Sequence, residues 1–356
     1  MDSSFNKVSA SLLSRQECNI IRGLAILLIV LNNFGHKING VHMDNEFRYK
    51  WKNVIGFIDS LSNPSDILPL DILSFYSPYG VMLFIFLSGY GLSLKYEKGN
   101  GQHVTNSNFI FDHYKKLFIM QAKGLALFLF VYFLYYKSAS IDWGPFVRQL
   151  FMIENLNPWS KIKPGPYWFF GMIMEVYIVY RMFFYRRSSL LMVVIVAFSL
   201  VVMSFFDPKG AMMRYLRINL GMALLPFCMG VLVARHWNRK MQYFISTNTK
   251  CLLWFVISFV LLSLCKFNFY SWLFMPIFIV ATSIMMVKLF LSKWKFALLF
   301  SWLGGLSGVI FVIHPILRLL LVHRANESGH YYAIMFIYLF MTIVLGMILR
   351  PVFMKE

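Results

Sequence analysis

Long apolar stretches recur along this chain, separated by short segments that hold most of its lysine, arginine, aspartate and glutamate. A helix rising about 1.5 Å per residue needs about 20 residues to cross a hydrocarbon layer about 30 Å thick. Backbone polar groups in lipid must find partners within their own segment, so stretches of this kind are expected to be helices. They fall at 20–36, 79–95, 116–136, 167–184, 189–206, 218–235, 251–267, 271–291, 299–322 and 332–350. The expectation is an all-α polytopic integral membrane protein with about ten transmembrane helices, forming a single domain over 1–356. The ninth stretch is the least regular, because Gly304, Gly305 and Gly308 are placed to end it early and Pro315 lies inside it.

The composition agrees, with 59% of residues hydrophobic and only 14% charged. A net charge of +19 would be compatible with nucleic-acid binding if the basic residues shared a solvated face. Here they punctuate hydrophobic spans instead, which leaves the bilayer, and not nucleic acid, as the expected partner. Cys18, Cys228, Cys251 and Cys265 have no close CxxC spacing, and three lie within or beside apolar stretches, so neither a metal site nor a disulfide framework is indicated. The polar, mixed-charge N-terminal segment offers no convincing cleavable signal, and the first long apolar run reads as a retained helix.

Lysine and arginine in short connections mark the cytoplasmic side. Lys7 and Arg15 precede the first span, and alternate connections carry Lys98 and Lys115, Arg186 and Arg187, Arg239, Lys240 and Lys250, then Lys293 and Lys295. The opposite connections hold most of the acids: Asp44, Glu46, Asp59, Asp66 and Asp71, then Asp142 and Glu154, then Asp207 and Glu327. An even number of spans places both termini in the cytoplasm. The long outer segments 37–78 and 137–166 are rich enough in Trp, Tyr and Pro to fold in part or lie in the interface.

An ionisable group within a span is costly and marks a candidate functional position. Arg22 opens the first span and His36 ends it. At about 100° per residue, Asn33 lies roughly 20° from Arg22 and His36 roughly 40° the other way, so the three share one stripe. Along the axis His36 stands roughly 21 Å from Arg22. The ordinary alternative is an interfacial anchor at Arg22 and a headgroup-layer histidine at His36. Glu175 is the only carboxylate well inside a span and shares a face with Trp168 and Gly171, while Tyr177, Tyr180 and Arg181 lie toward another. Its plainer reading is a hydrogen-bonded packing residue. His314 precedes Pro315, whose missing N–H frees a carbonyl one turn earlier that a buried histidine can satisfy. Ser88, Gly89 and Gly91 sit among large residues, where small side chains let helices approach closely.

Taken in order, the segments RGLAILLIVL, FIFLSGYGLSLKY, PYWFFGMIMEVYIVYR, LPFCMGVLVAR and LGGLSGVIFVIHPILR resemble the membrane acyltransferase-3 family over about 18–350. The resemblance implies a membrane O-acyltransferase, most simply an O-acetyltransferase, acting in a bacterial inner membrane. Its donor would be cytoplasmic acetyl-CoA or another acyl-CoA, its acceptor a hydroxyl of a cell-envelope or exported polysaccharide, and it would hold no permanent cofactor and no metal. Arg22 would hold the donor's phosphates. The family's motif carries a histidine eleven residues after the arginine, where this chain has Asn33, and some relatives carry it one position earlier, where it has Asn32. His36, one turn on, is the natural substitute as base, with Asn33 orienting a carbonyl or hydroxyl. A different base, or a chain that has lost activity, are the other readings. Among other classes, a transporter or flippase would use Arg22, Glu175 and His314 to line a pathway, and a glycan polymerase or ligase would need no acyl donor.

Overall fold

The computed structural model describes residues 11–42, 45–76, 79–136, 142–159, 162–293 and 295–354. Lys7 and Asp44, and the side chain of Arg239, lie outside what is described. The described residues form helices and turns with no strand. Each of the ten apolar stretches is occupied by a helix, and seven helices are both long and apolar enough to cross a bilayer unaided. Ser189–Ser204 and Met275–Leu291 are shorter apolar helices. The fold is therefore an all-α polytopic membrane protein.

Several ends differ from the hydropathy reading for local reasons. The first helix, Arg15–Gly35, starts well before its apolar run because Ser14 and Glu17 form a reciprocal capping box. The helix over 116–136 begins at Asn106, carrying its charged first turns beyond the hydrophobic stretch. The glycines of the ninth stretch do not end it: Phe296–Ser328 is one helix, closed by Gly329 in the left-handed conformation. The outer segments fold in part, with helices at Trp51–Ser62, Leu68–Tyr76 and Trp143–Leu150.

Two glycine crossings hold the centre together. A Cβ at Gly23 would overlap the Phe300 carbonyl, and one at Gly304 would overlap the Asn19 carbonyl, so the first helix and Phe296–Ser328 touch backbone to backbone. Gly89 meets the Phe227 carbonyl while Gly230 meets that of Phe86, which does the same for Gly80–Leu92 and Leu220–Leu232. Small residues substitute close dispersion contact for the hydrophobic drive that lipid removes.

Ionic and polar contacts tie together the end where the first helix begins. Glu17 pairs with Lys288 at 2.7 Å, and Lys293 donates to Asn248 at 2.5 Å. Four helices there pass into π-helical turns: Val287–Leu291, which carries Lys288, and a group of three, Ser93–Lys98, Tyr180–Phe184 and Val233–Trp237. Those three meet at a buried ion pair in which both Arg235–Glu97 contacts are 2.6 Å, with the Tyr180 hydroxyl donating to the same carboxylate at 3.0 Å. Such turns leave carbonyls without helical partners. Lys98 reaches one of them, on Ala234, at 2.6 Å.

Candidate active site

The first helix stops at Gly35 and His36 caps it, its backbone N–H donating to the Asn32 carbonyl at 3.1 Å. The same carbonyl lies 2.6 Å from His36 Nδ1. A carbonyl can only accept, so Nδ1 carries a proton, and the ring in its neutral form presents the Nε2 lone pair. One turn back, Asn33 Nδ2 donates to the Ile29 carbonyl at 2.9 Å, which turns its amide oxygen outward. Arg318 Nη1, on the neighbouring Phe296–Ser328 helix, donates to that oxygen at 2.6 Å. Packing of the two helices thus places an imidazole, an amide and a guanidinium around one space.

That space is a cavity of about 200 Å³ whose lining includes Asn32, Asn33, His36, Arg318, Glu46 and Arg214. Phe47, Trp168 and Phe311 supply aromatic wall, with Phe47 and Trp168 edge to face at 5.2 Å. A second cavity of about 220 Å³ shares His36, Lys37, Glu46, Phe47 and Arg214 with it, and adds Arg48, Lys50 and Asn53. Burial, and then the Arg318 cation, hold the Lys37 amine below the usual lysine range. The cavity wall is fixed by amides: Asn155 Nδ2 donates to the carbonyls of Trp168 at 3.1 Å and Ile218 at 3.3 Å, and Asn219 donates to the Asn155 carbonyl at 3.1 Å.

Of the residues singled out from sequence, His36, Asn33 and Trp168 come together here. Glu175 is not among the lining residues; its carboxylate accepts from the Leu220 backbone N–H at the start of Leu220–Leu232. Arg22 lies toward the opposite end of the first helix, half-buried, with Nη1 donating to Asn19 Oδ1 at 3.1 Å. Near it Ser88 shares a hydrogen bond with Tyr177, whose ring packs edge-on to His113 at 5.0 Å. Arg181 is a clamp: Nε donates to Asn106 Oδ1 at 2.7 Å, Nη2 donates to the Val104 carbonyl, and the guanidinium stacks on Tyr185 at 3.8 Å. His314 is fully buried, with Nδ1 3.3 Å from the Ile310 carbonyl and also in reach of the Phe311 carbonyl that Pro315 frees. Phe311 and Arg318, one turn to either side of it, line the cavity.

Sequence reasoning passed over Arg318, although it is an arginine inside an apolar stretch, four residues after His314 and so on the same face. Glu46 and Arg214 gave no such signal, because they enter from segments far apart in sequence.

The arrangement offers a nitrogen base, a cation beside it and an aromatic wall, the parts that hydroxyl activation and carbonyl polarisation require. No curated protein and no solved structure matches the chain. A family model described as an acyltransferase domain matches residues 15–350. With that match spanning nearly the whole of an all-α membrane fold, the chain belongs to the acyltransferase-3 family of membrane acyltransferases.

Proposed function

We propose that this protein is an O-acyltransferase, most simply an O-acetyltransferase, that passes an acyl group from cytoplasmic acyl-CoA to a hydroxyl of a cell-envelope or exported polysaccharide. The observation that carries the reading is His36 at the cavity, its Nδ1–H fixed by the Asn32 carbonyl and its Nε2 left to act. Charge bias favours a cytoplasmic Arg22 end, which would suit Arg22 to the donor's phosphates, and the long pantetheine arm would carry the thioester toward His36.

In the proposed reaction the acceptor hydroxyl gives its proton to His36 Nε2 as its oxygen attacks the thioester carbonyl. The resulting oxyanion lies beside Arg318, held in place by Asn33. Collapse expels CoA as thiolate, which takes the proton back from the imidazolium, leaving an O-acyl ester and free CoA. Asn33 is therefore a positioning residue, and His36 supplies the base its position lacks. Glu175, bonded to the Leu220 N–H, positions the start of the helix that follows the cavity wall. The aromatic wall of Trp168 and Phe47 suits the apolar face of a sugar ring.

Envelope glycans from cells with and without the protein, compared by mass spectrometry, test this reading. The expected difference is the mass of one acyl group per modified residue. Identical glycans, with the protein instead moving a glycan-linked substrate across proteoliposomes without consuming acyl-CoA, would favour transport.

A further inference from the structure

We infer that the acceptor bound at this site is anionic, carrying a carboxylate or phosphate that the cations at the rim of the cleft, Lys37, Arg48 and Lys50, recognise. The inference rests on the acyl-transfer reading and adds the chemical class of its substrate. Two confluent cavities meet at His36, and their described lining contains five cations, Lys37, Arg48, Lys50, Arg214 and Arg318, against one acid, Glu46. Arg318 donates to a neutral amide, Asn33, and not to a carboxylate. Among the described residues, Arg48 Nε is buried with no hydrogen-bond partner. The Arg318 cation is close enough to Lys37 to disfavour the lysine's charge, and an anion beside Lys37 would relieve that repulsion.

A cleft with this charge balance and partly dry walls concentrates field on an incoming anion. The planar guanidinium fork of Arg48 matches both carboxylate and phosphate oxygens, which leaves Arg318 to the oxyanion. Lys50 and Arg48 line the outer cavity beyond His36, so a charged group on the acceptor can sit there while its hydroxyl meets Nε2.

The full-length protein in lipid nanodiscs tests this with a uronic-acid oligosaccharide and its carboxyl-reduced neutral counterpart. Equilibrium binding is measured for both, and transfer is followed with radiolabelled acetyl-CoA. The acidic form is expected to bind at least about tenfold more tightly at low ionic strength, with the gap closing in about 1 M salt, where the Debye length falls to about 3 Å. Replacing Arg48 and Lys50 together by Gln lowers affinity for the acidic form about tenfold and leaves the neutral form and CoA unchanged, while Arg48→Lys retains part of the preference. Equal binding of the two oligosaccharides by the unaltered protein overturns the inference. So does a double variant that loses CoA affinity in place of acidic-glycan affinity, because the cations then serve the donor. Binding is read without turnover, so a clear acidic preference with no acyl transfer counts against the proposed reaction and leaves the anionic cleft standing.

Discussion

Replacing Asn33 separates stability from activity in a way that few other positions allow. Its amide oxygen accepts a 2.6 Å hydrogen bond from the Arg318 guanidinium, and its amide nitrogen is tied to the Ile29 carbonyl at 2.9 Å. A hydrogen bond to a charged group contributes roughly 1.5–3 kcal/mol. Asn33→Leu keeps the volume and removes the acceptor, so Arg318 loses both a partner and its aim. If that loss falls on the transition state, kcat/KM drops roughly 10- to 150-fold. Thermal unfolding in detergent, followed by a thiol-reactive dye that reaches the buried Cys228, Cys251 and Cys265 only on opening, falls with it. Asn33→Asp acts differently. A carboxylate at the same point neutralises Arg318, so the unfolding temperature rises or holds while kcat/KM still falls. Wild-type transfer rates in Asn33→Leu would refute the role given to Arg318, and full activity in Asn33→Asp would show that its positive charge is not used.

Three further outcomes follow from particular contacts. Glu175→Gln keeps an oxygen for the Leu220 N–H and is expected to retain acyl transfer within a few-fold; a loss of about 100-fold or more would make the carboxylate a participant in the reaction. Gly304→Ala drives a methyl into the Asn19 carbonyl and should abolish correctly folded protein, judged by size-exclusion of the solubilised chain, whereas Gly305→Ala meets nothing within 4 Å and should be neutral or slightly stabilising; equal behaviour of the pair would dismiss the crossing. Lys37 is held below the usual lysine range by burial and then by Arg318, so it loses its proton at a lower pH than an exposed lysine. Preference for an acidic acceptor should therefore decline at alkaline pH, and less so in Lys37→Arg; identical profiles for the two proteins would remove Lys37 from acceptor binding.

Much of the fold is legible in the chain because lipid imposes a single rule, and each apolar stretch has its helix. The ends are less legible where something other than hydropathy sets them. Ser14 and Glu17 start the first helix by capping, and the charged turns after Asn106 continue a helix that hydropathy alone begins ten residues later. Glycine misleads in the ninth stretch: Gly304 reads as a helix breaker, yet it is retained because the Asn19 backbone packs where its side chain would be. In the site, His36 and Asn33 are readable from the spacing along one helix. Arg318 was readable as a cation in an apolar helix, but its bond to Asn33 depends on how two helices 285 positions apart in sequence pack together. Glu46, Arg48 and Arg214 are ordinary loop or helix-end charges until the fold gathers them at one cleft.

The central claim is that His36 Nε2 removes the acceptor's proton. Positioned general-base catalysis contributes about 10²–10⁴-fold to rate. The direct measurement is transfer of radiolabelled acetyl from acetyl-CoA to glycan by purified protein in nanodiscs, compared between the unaltered chain and His36→Ala at equal folded concentration. The account predicts ester-linked label on the glycan with the unaltered chain and a rate at least about 100-fold lower with His36→Ala, while CoA binding is preserved. Transfer by His36→Ala at the unaltered rate would contradict it.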